Sequence, residues 1–342
     1  MKQLIVPDKL KKGDKVALVS LSWGGAGDPD LLWRYELGKK RLKEEFGLVP
    51  VEMENTLKGS QFIYENPQKR AEDLMNAFKD KSIKGIFANI GGDDSIRMLP
   101  YIDFDVIRNN PKIFLGYSDS TITHLIAFKA GLRTYYGPSI LAEFAENIKI
   151  FDYTKEYVEK TLFSDKEIGN IPQAEYWTAE RIEWLEENKD KTKIMYKNTG
   201  YDVLQGAGIV EGPLFGGCID VLEMAKGTEL WPELEEFDGA ILFLESSEEI
   251  AAPSNIVYWL RNYGIQGILS RINGIIFGKP YQGTYYKEYK DSIKKVLKEF
   301  DLEDLPVMYN MSFGHNQPMH ILPYGAIARL DLDNKSFTIK NH

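Results

Sequence analysis

The sequence predicts an α/β protein of two domains: an N-terminal doubly wound, mostly parallel sheet, and a C-terminal mixed α/β domain with a β-rich end. Three observations carry this. At 342 residues the chain exceeds the usual size of one hydrophobic core. Over residues 1–165, short apolar runs rich in β-branched residues alternate with amphipathic stretches, as in a parallel sheet covered on both faces. Over residues 206–342, strands and helices mix and the chain closes on two strands joined by Asp333-Asn334-Lys335, a hairpin turn. Residues 166–205 fall between as a connecting segment.

Each element has a local reason. Residues 15–22, KVALVSLS, read as the first strand. Residues 31–46 carry helical spacing and stop at Gly47, the residue type that ends helices in the left-handed conformation. A second strand over 49–53 leads to a helix over 67–79, where Ala71, Leu74, Met75 and Phe78 share one face. Strands over 84–90 and 112–117 are each followed by a helix, 94–99 and 120–130, and 134–137 is a further strand. The stretch YWTAERIEWLEENKDKTK is polar and charged, with two tryptophans, and reads as connection rather than core. Beyond it come strands over 240–245, 273–278, 306–310, 326–333 and 336–340, with helices over 218–226, 254–263 and 286–299.

Composition excludes several function classes. A net charge of −9, with no Lys/Arg block interleaved with aromatics, argues against a nucleic-acid partner. The first apolar run is cut by Pro7, too short for a signal-peptide core, and no stretch approaches the roughly 18 apolar residues of a membrane span. The reading is therefore a cytoplasmic protein with no membrane partner. The single Cys218 cannot form an internal disulfide, which fits a reducing compartment, and its apolar context after Gly216-Gly217 reads as a small buried side chain.

In a parallel sheet the carboxyl ends of the strands line one edge, and ligands bind there. Three such ends share that rim: Ser22-Trp23-Gly24-Gly25-Ala26-Gly27, Ile90-Gly91-Gly92-Asp93 and Gly116-Tyr117-Ser118-Asp119. Ser118 can serve as a helix N-cap or as a nucleophile, and the two readings combine if it caps by position while its hydroxyl stays exposed. The nucleophile-elbow pattern G-x-S-x-G is not met, since Asp119-Ser120 follows Ser118. Gly91-Gly92 lets backbone N–H groups approach an anion or an oxyanion, or simply makes a tight turn. The loop over 24–27 fails G-x-G-x-x-G because Asp30 takes the last position, so a dinucleotide cofactor is not expected. Of four histidines, His342 is terminal and His124 falls inside a helix, whereas His315 and its rival His320 sit in MSFGHNQPMH, a loop bounded by glycine and proline. Glu245 ends the apolar strand AILFL, where a carboxylate can orient an imidazole; Glu248 and Glu249 beside it read as a solvated acidic turn.

Taken in order, Gly91-Gly92, Gly116-Tyr117-Ser118-Asp119, Gly212-Pro213-Leu214-x-Gly216-Gly217, Phe243-Leu244-Glu245 and Gly314-His315 resemble the LD-carboxypeptidase family of serine peptidases over nearly the whole chain. The resemblance implies Ser118 as nucleophile, His315 as general base and then acid, and Glu245 as the group that orients His315. It implies an oxyanion hole from the N–H groups of Gly92 and Asp119, with Gly91 beside the substrate, a site formed across the domain boundary, a homodimer, and no metal or organic cofactor. Gly91-Gly92-Asp93-Asp94-Ser95 looks like the microcin-immunity branch, and Trp177 and Trp184 match a tryptophan pair that flanks an adenine there. The implied partner is a small peptide or a peptidyl- or aminoacyl-nucleotide of microcin C type; a murein tetrapeptide is the alternative, and a non-catalytic nucleotide- or sugar-binding protein a second one. Acidic residues over 245–249, with no base among them, sit poorly with a phosphate.

Overall fold

The computed structural model describes residues 1–340, so His342 lies outside the described residues. The first half runs β1 (Lys15–Val19), α1 (Leu32–Phe46), β2 (Val49–Glu52), α2 (Ser60–Glu65), α3 (Pro67–Lys79), β3 (Ile83–Ala88), α4 (Phe104–Asn109), β4 (Ile113–Gly116), α5 (Thr121–Ala130), β5 (Tyr135–Tyr136) and α6 (Asp152–Leu162). β1 to β5 are parallel, in the order β5-β4-β3-β1-β2. Side chains alternate along β1: Ala17 and Val19 face the core packed by α3 and α5, while Val16 and Leu18 face the one packed by α1 and α6. That period of two, with both faces apolar, is why each strand reads as a short continuous hydrophobic run. Pro67 occupies the first turn of α3, where its missing N–H costs nothing, and Gly47 closes α1 at φ 68°. The segment expected as a helix over 94–99 is instead a 3-10 turn, Ser95–Tyr101, because Pro100 removes a donor from it.

The connecting segment holds β6 (Gly169–Asn170), a two-stranded ribbon of β7 (Tyr176–Trp177) and β8 (Tyr196–Lys197), and β9 (Asp202–Gln205). The second half continues with β10 (Ile209–Cys218), α7 (Ile219–Ala225), β11 (Ile241–Glu245), α8 (Pro253–Ile265), β12 (Gly274–Gly278), α9 (Tyr286–Glu299), β13 (Val307–Met311), β14 (Leu322–Pro323), β15 (Ile327–Asp331) and β16 (Ser336–Ile339). Its sheet runs β6-β16-β15-β10-β11-β12-β13-β9, parallel from β10 to β13 and antiparallel at both ends. Two short strands cross between halves. β14 adds antiparallel to β5 in the first sheet, and β6 from the connecting segment edges the second.

The sheets meet where α5 starts against the end of β10. Cys218 N–H donates to Thr121 Oγ1 at 3.2 Å, and a Cβ on Gly217 would lie 2.6 Å from Thr121. Gly216 is equally confined, for a Cβ there would lie 1.7 Å from the Phe243 carbonyl oxygen on β11. No helix among the described residues is long and apolar enough to cross a membrane. Gly216→Ala must push β10 off β11, and we expect a loss of about 3 kcal/mol of stability, the upper range for overpacking, read as a lowered Tm. An unchanged melting curve would show that the two strands have slack between them.

Candidate active site

The sharp turn after β4 presents the serine. Tyr117 is extended, Ser118 takes φ 60° in the left-handed region, and the chain winds through the 3-10 turn Ser118–Ser120 into α5. A non-glycine residue holds that conformation only where its surroundings demand it. Here Ser118 N–H donates to Tyr136 Oη at 3.1 Å, and Gly91 packs so close that a Cβ on it would lie 3.0 Å from Ser118 Oγ. The capping expectation for Ser118 does not hold. α5 has Ser120 at its N-cap with no side-chain cap bond, and the Ser118 hydroxyl points instead to the other half of the molecule.

There, His315 Nε2 is 2.9 Å from Ser118 Oγ, and His315 Nδ1 is 2.7 Å from Glu245 Oε2. Tyr136 Oη donates to the remaining oxygen, Glu245 Oε1, at 2.5 Å, so one tyrosine links the buried carboxylate to the backbone of the serine. The His315 and Glu245 side chains are 5% and 1% exposed, too little for water to decide their charge. Burial alone favours a neutral imidazole, but Glu245 and Glu248 outweigh it and raise His315 well above the ordinary histidine range. Glu248 Oε2 lies 2.9 Å from the same Nε2 that faces Ser118, and its carboxyl is held down at about 2, chiefly by that hydrogen bond.

A second network ties the rim together. Asp119 Oδ2 accepts from Ser22 Oγ at 2.5 Å and from Ser95 N–H at 2.8 Å, so one carboxylate joins the loops that follow β1, β3 and β4. Burial raises its pKa, and these donors counter the shift. The buried Arg70 of α3 forks onto Asp94 at 2.6 and 3.2 Å and reaches the Leu21 and Ser22 carbonyls. Gly92 N–H donates to nothing among the described residues, and the Asp119 amide nitrogen lies 3.4 Å from where a Gly91 Cβ would sit, on the Ser118 side of the rim.

The other histidines are structural. His124 is buried between Thr134 Oγ1 at 2.8 Å and the Gly116 carbonyl at 2.9 Å, and burial lowers it to about 3. His320 sits among the rings of Tyr157, Phe313 and Phe337, lowered to about 4 by burial, away from the serine. Cys218 is buried, which pushes its thiol well up. Its sulfur, a Glu245 oxygen and a His315 nitrogen lie within 4.8 Å of one another, but the latter two are committed to each other.

A cavity of about 380 Å³ opens over Ser118 and His315, lined by Trp23, Gly91, Gly92, Trp184, Asp220 and Glu248 among others. A smaller one of about 90 Å³ adjoins it behind Tyr117 and Glu143 and shares Trp184. The two tryptophans part company. The Arg34 guanidinium lies 4.5 Å from the Trp184 ring, whereas Trp177 packs on Tyr196 at 5.6 Å, takes the Lys279 ammonium at 4.4 Å, and borders neither cavity. Tyr136, the Asp119 carboxylate and Ser95 escaped the sequence reading. A tyrosine doublet at a strand end is a signal only once the face each ring takes is known, and Tyr135 turns the other way, under Lys9.

A serine, an imidazole and a carboxylate in hydrogen-bonded succession, assembled where two α/β sheets abut, define a serine hydrolase. Residues 16–137 match the LD-carboxypeptidase N-terminal domain and residues 211–330 the LD-carboxypeptidase C-terminal domain, and the chain belongs to that family. It is 31% identical to the microcin C7 self-immunity protein MccF of Escherichia coli over 80% of this chain and 78% of that one. Among solved structures, an MccF-like protein from Streptococcus pneumoniae in complex with AMP superposes with a TM-score of 0.89 at 34% identity, covering 96% of this chain and 99% of that one. MccF in complex with aspartyl sulfamoyl adenosine superposes with a TM-score of 0.86 at 29% identity, covering 99% of each.

Removing the Tyr136 hydroxyl takes a donor from a buried carboxylate, an interaction worth about 1.5–3 kcal/mol. Tyr136→Phe is expected to lower kcat for amide hydrolysis roughly ten- to a hundredfold with KM little changed, in steady-state kinetics. An equal rise in KM would place the tyrosine in substrate binding instead.

Proposed function

We propose that the chain hydrolyses the acyl–nitrogen bond of a small aminoacyl- or peptidyl-nucleotide of microcin C type, giving self-immunity or detoxification. One observation carries this: the Ser118–His315–Glu245 relay opens into a cavity walled by Trp184, a flat apolar surface suited to a purine. The ligands of the two solved relatives, AMP and aspartyl sulfamoyl adenosine, support it.

In this reading Ser118 Oγ attacks the acyl carbon while its proton passes to His315 Nε2. Glu245 holds Nδ1–H and stabilises the imidazolium that forms. The tetrahedral oxyanion is received by the N–H groups of Gly92 and Asp119, donors that need no reorganisation because Gly92 N–H has no other partner among the described residues and the rim network fixes both loops. Nε2–H then protonates the leaving nitrogen, and water activated by the same imidazole releases the acyl group. Trp184 would stack on the base, while Trp177 holds the ribbon against Lys279.

Ser118→Ala and His315→Ala are expected to lower kcat for aminoacyl sulfamoyl adenosines by several powers of ten with Tm retained, and Glu245→Gln by less. Turnover that survives in Ser118→Ala would leave a binding protein with adventitious activity. A second comparison separates the tryptophans. Base stacking is worth about 1–3 kcal/mol, so Trp184→Ala is expected to raise KM for the nucleotide roughly five- to a hundredfold while sparing a base-free murein peptide. Trp177→Ala is expected to lower Tm instead. Equal losses on both substrates for Trp184→Ala would overturn the nucleotide assignment in favour of a murein peptide.

A further inference from the structure

We infer that Glu248 is the receptor for a primary ammonium group on the acyl residue of the substrate, and that it lies on His315 Nε2 until that ammonium draws it away. The inference rests on the serine-hydrolase reading of the site given above.

The geometry sets the problem. An imidazole Nε2 carries at most one hydrogen, yet two acceptors stand 2.9 Å from it, Ser118 Oγ and Glu248 Oε2. A general base must present a bare Nε2 to the serine hydroxyl, and a carboxylate on that nitrogen keeps it protonated. The groups facing His315 give no relief. Glu245 holds Nδ1, Tyr117 packs edge-on at 5.2 Å, the buried Cys218 thiol lies on the Glu245 side, and Tyr136 stands behind Glu245. Besides the His315 ring, Glu248 pairs with Arg181, 3.8 Å away, which with 63% of its side chain exposed gives only weak, water-screened compensation. The resting site is therefore closed by its own charge.

The same cavity wall selects what opens it. Asp93, Asp220, Glu248 and Glu249 border the space over Ser118, against Arg181 and His315. Carboxylates beside a nucleophile repel an acidic acyl group and attract a cationic one. The Glu248 side chain is 37% exposed, while its loop is anchored on either side. Ser247 N–H donates to Asp220 Oδ2 at 3.1 Å, Glu249 N–H donates to Ser247 Oγ at 3.3 Å, and Ile250 is held at φ 51°. A β-branched residue in that region is an outlier, and such strain collects in segments whose posture matters.

The step balances without a co-reactant. The arriving ammonium replaces the imidazolium as the partner of Glu248, the Nε2 proton leaves to water, and Ser118 Oγ–H turns onto the freed nitrogen. The Nε2–H bond is exchanged for an O–H bond of the accepting water, and no bond between heavy atoms changes. The ammonium can be the α-amino group or a basic side chain, which the following arms separate.

Lysyl, norleucyl, glutamyl and Nα-acetyl-lysyl groups would be presented both as sulfamoyl adenosines and as amides of D-alanine. With a side-chain ammonium, kcat/KM for lysyl is expected to exceed norleucyl by about tenfold or more, falling to within about twofold in Glu248→Gln. With the α-ammonium, lysyl and norleucyl are equal and Nα-acetylation brings the loss. Glutamyl matching or beating lysyl, with acetylation harmless, overturns the proposal. The leaving group is read separately: hydrolysis of the D-alanine amides alone removes the nucleotide reading and leaves the acyl preference standing. The acidic limb of the pH profile gives a further reading. Its midpoint marks loss of the neutral imidazole, so Glu248→Gln, which removes one of the anions raising His315, is expected to move it to lower pH; an unmoved limb counts against the gate. Calorimetry needs no turnover. Lysinamide binding to Ser118→Ala protein at neutral pH, in buffers of different ionisation enthalpy, is expected to release about one proton, and none when Glu248→Gln is added. Absence of binding, or binding without proton release, overturns the proposal.

Discussion

Glu245 is a carboxylate with almost no access to water, and the surrounding structure reads as a set of answers to that fact. An ionised carboxylate removed from solvent must be paired and hydrogen-bonded on both oxygens or it becomes a liability of several kcal/mol. Oε2 is met by the His315 ring and Oε1 by the Tyr136 hydroxyl. The backbone is shaped around it too. Gly314, at φ 94°, passes so close that a Cβ would lie 2.7 Å from Oε2, so the loop carrying His315 can approach only with glycine at that position. One charge thus draws three distant segments to a point: the end of β11, the loop after β13, and β5 of the other sheet.

The rim of the first sheet solves the matching problem with a second buried acid. Asp119 bonds Ser22 and Ser95, and Arg70 clamps Asp94 from beneath, so the loops after β1, β3 and β4 move as one body. The strained turn at Ser118 is affordable because its neighbours are fixed before it. Preorganisation of this kind places donors where charge will develop rather than where it rests. The division of labour is clear in the two acids: Glu245 holds the imidazole, and Asp119 holds the ground on which the serine stands.

Much of this was legible in the sequence because it rests on local chemistry. The boundaries of α1 and α3 follow from Gly47 and Pro67, and the strand ends carrying Ser118 and Glu245 follow from apolar runs that stop at polar residues. Loop context leaves His315 and His320 as rivals and only the family resemblance favours His315; burial of His320 among aromatic rings gives the physical reason. What escaped depended on distant partners. β10, ten residues long, is missing from the strands read in the sequence, where its glycines break the apolar pattern; they mark places where another backbone or Thr121 comes close. β14 has two residues and pairs with a strand almost two hundred positions earlier, which no window can reveal. The tryptophan pair looked equivalent on composition; only the fold sends Trp184 to the cavity and Trp177 to Tyr196. Glu248 looked like solvated charge because its meaning lies in facing a histidine.

The nucleophile and its base stand 197 residues apart in the chain, and β14, the edge strand beside β5, is made later still. A ribosome that has made β1 to β5 has made a serine in a strained turn but not the His315 imidazole that activates it. Until residue 315 has been added and the second sheet has folded against α5, the growing polypeptide carries a blunt hydroxyl, inert toward the acyl compounds around it. Chemical competence is therefore timed by synthesis: it arrives once, near the end, and only in molecules that have folded across both halves.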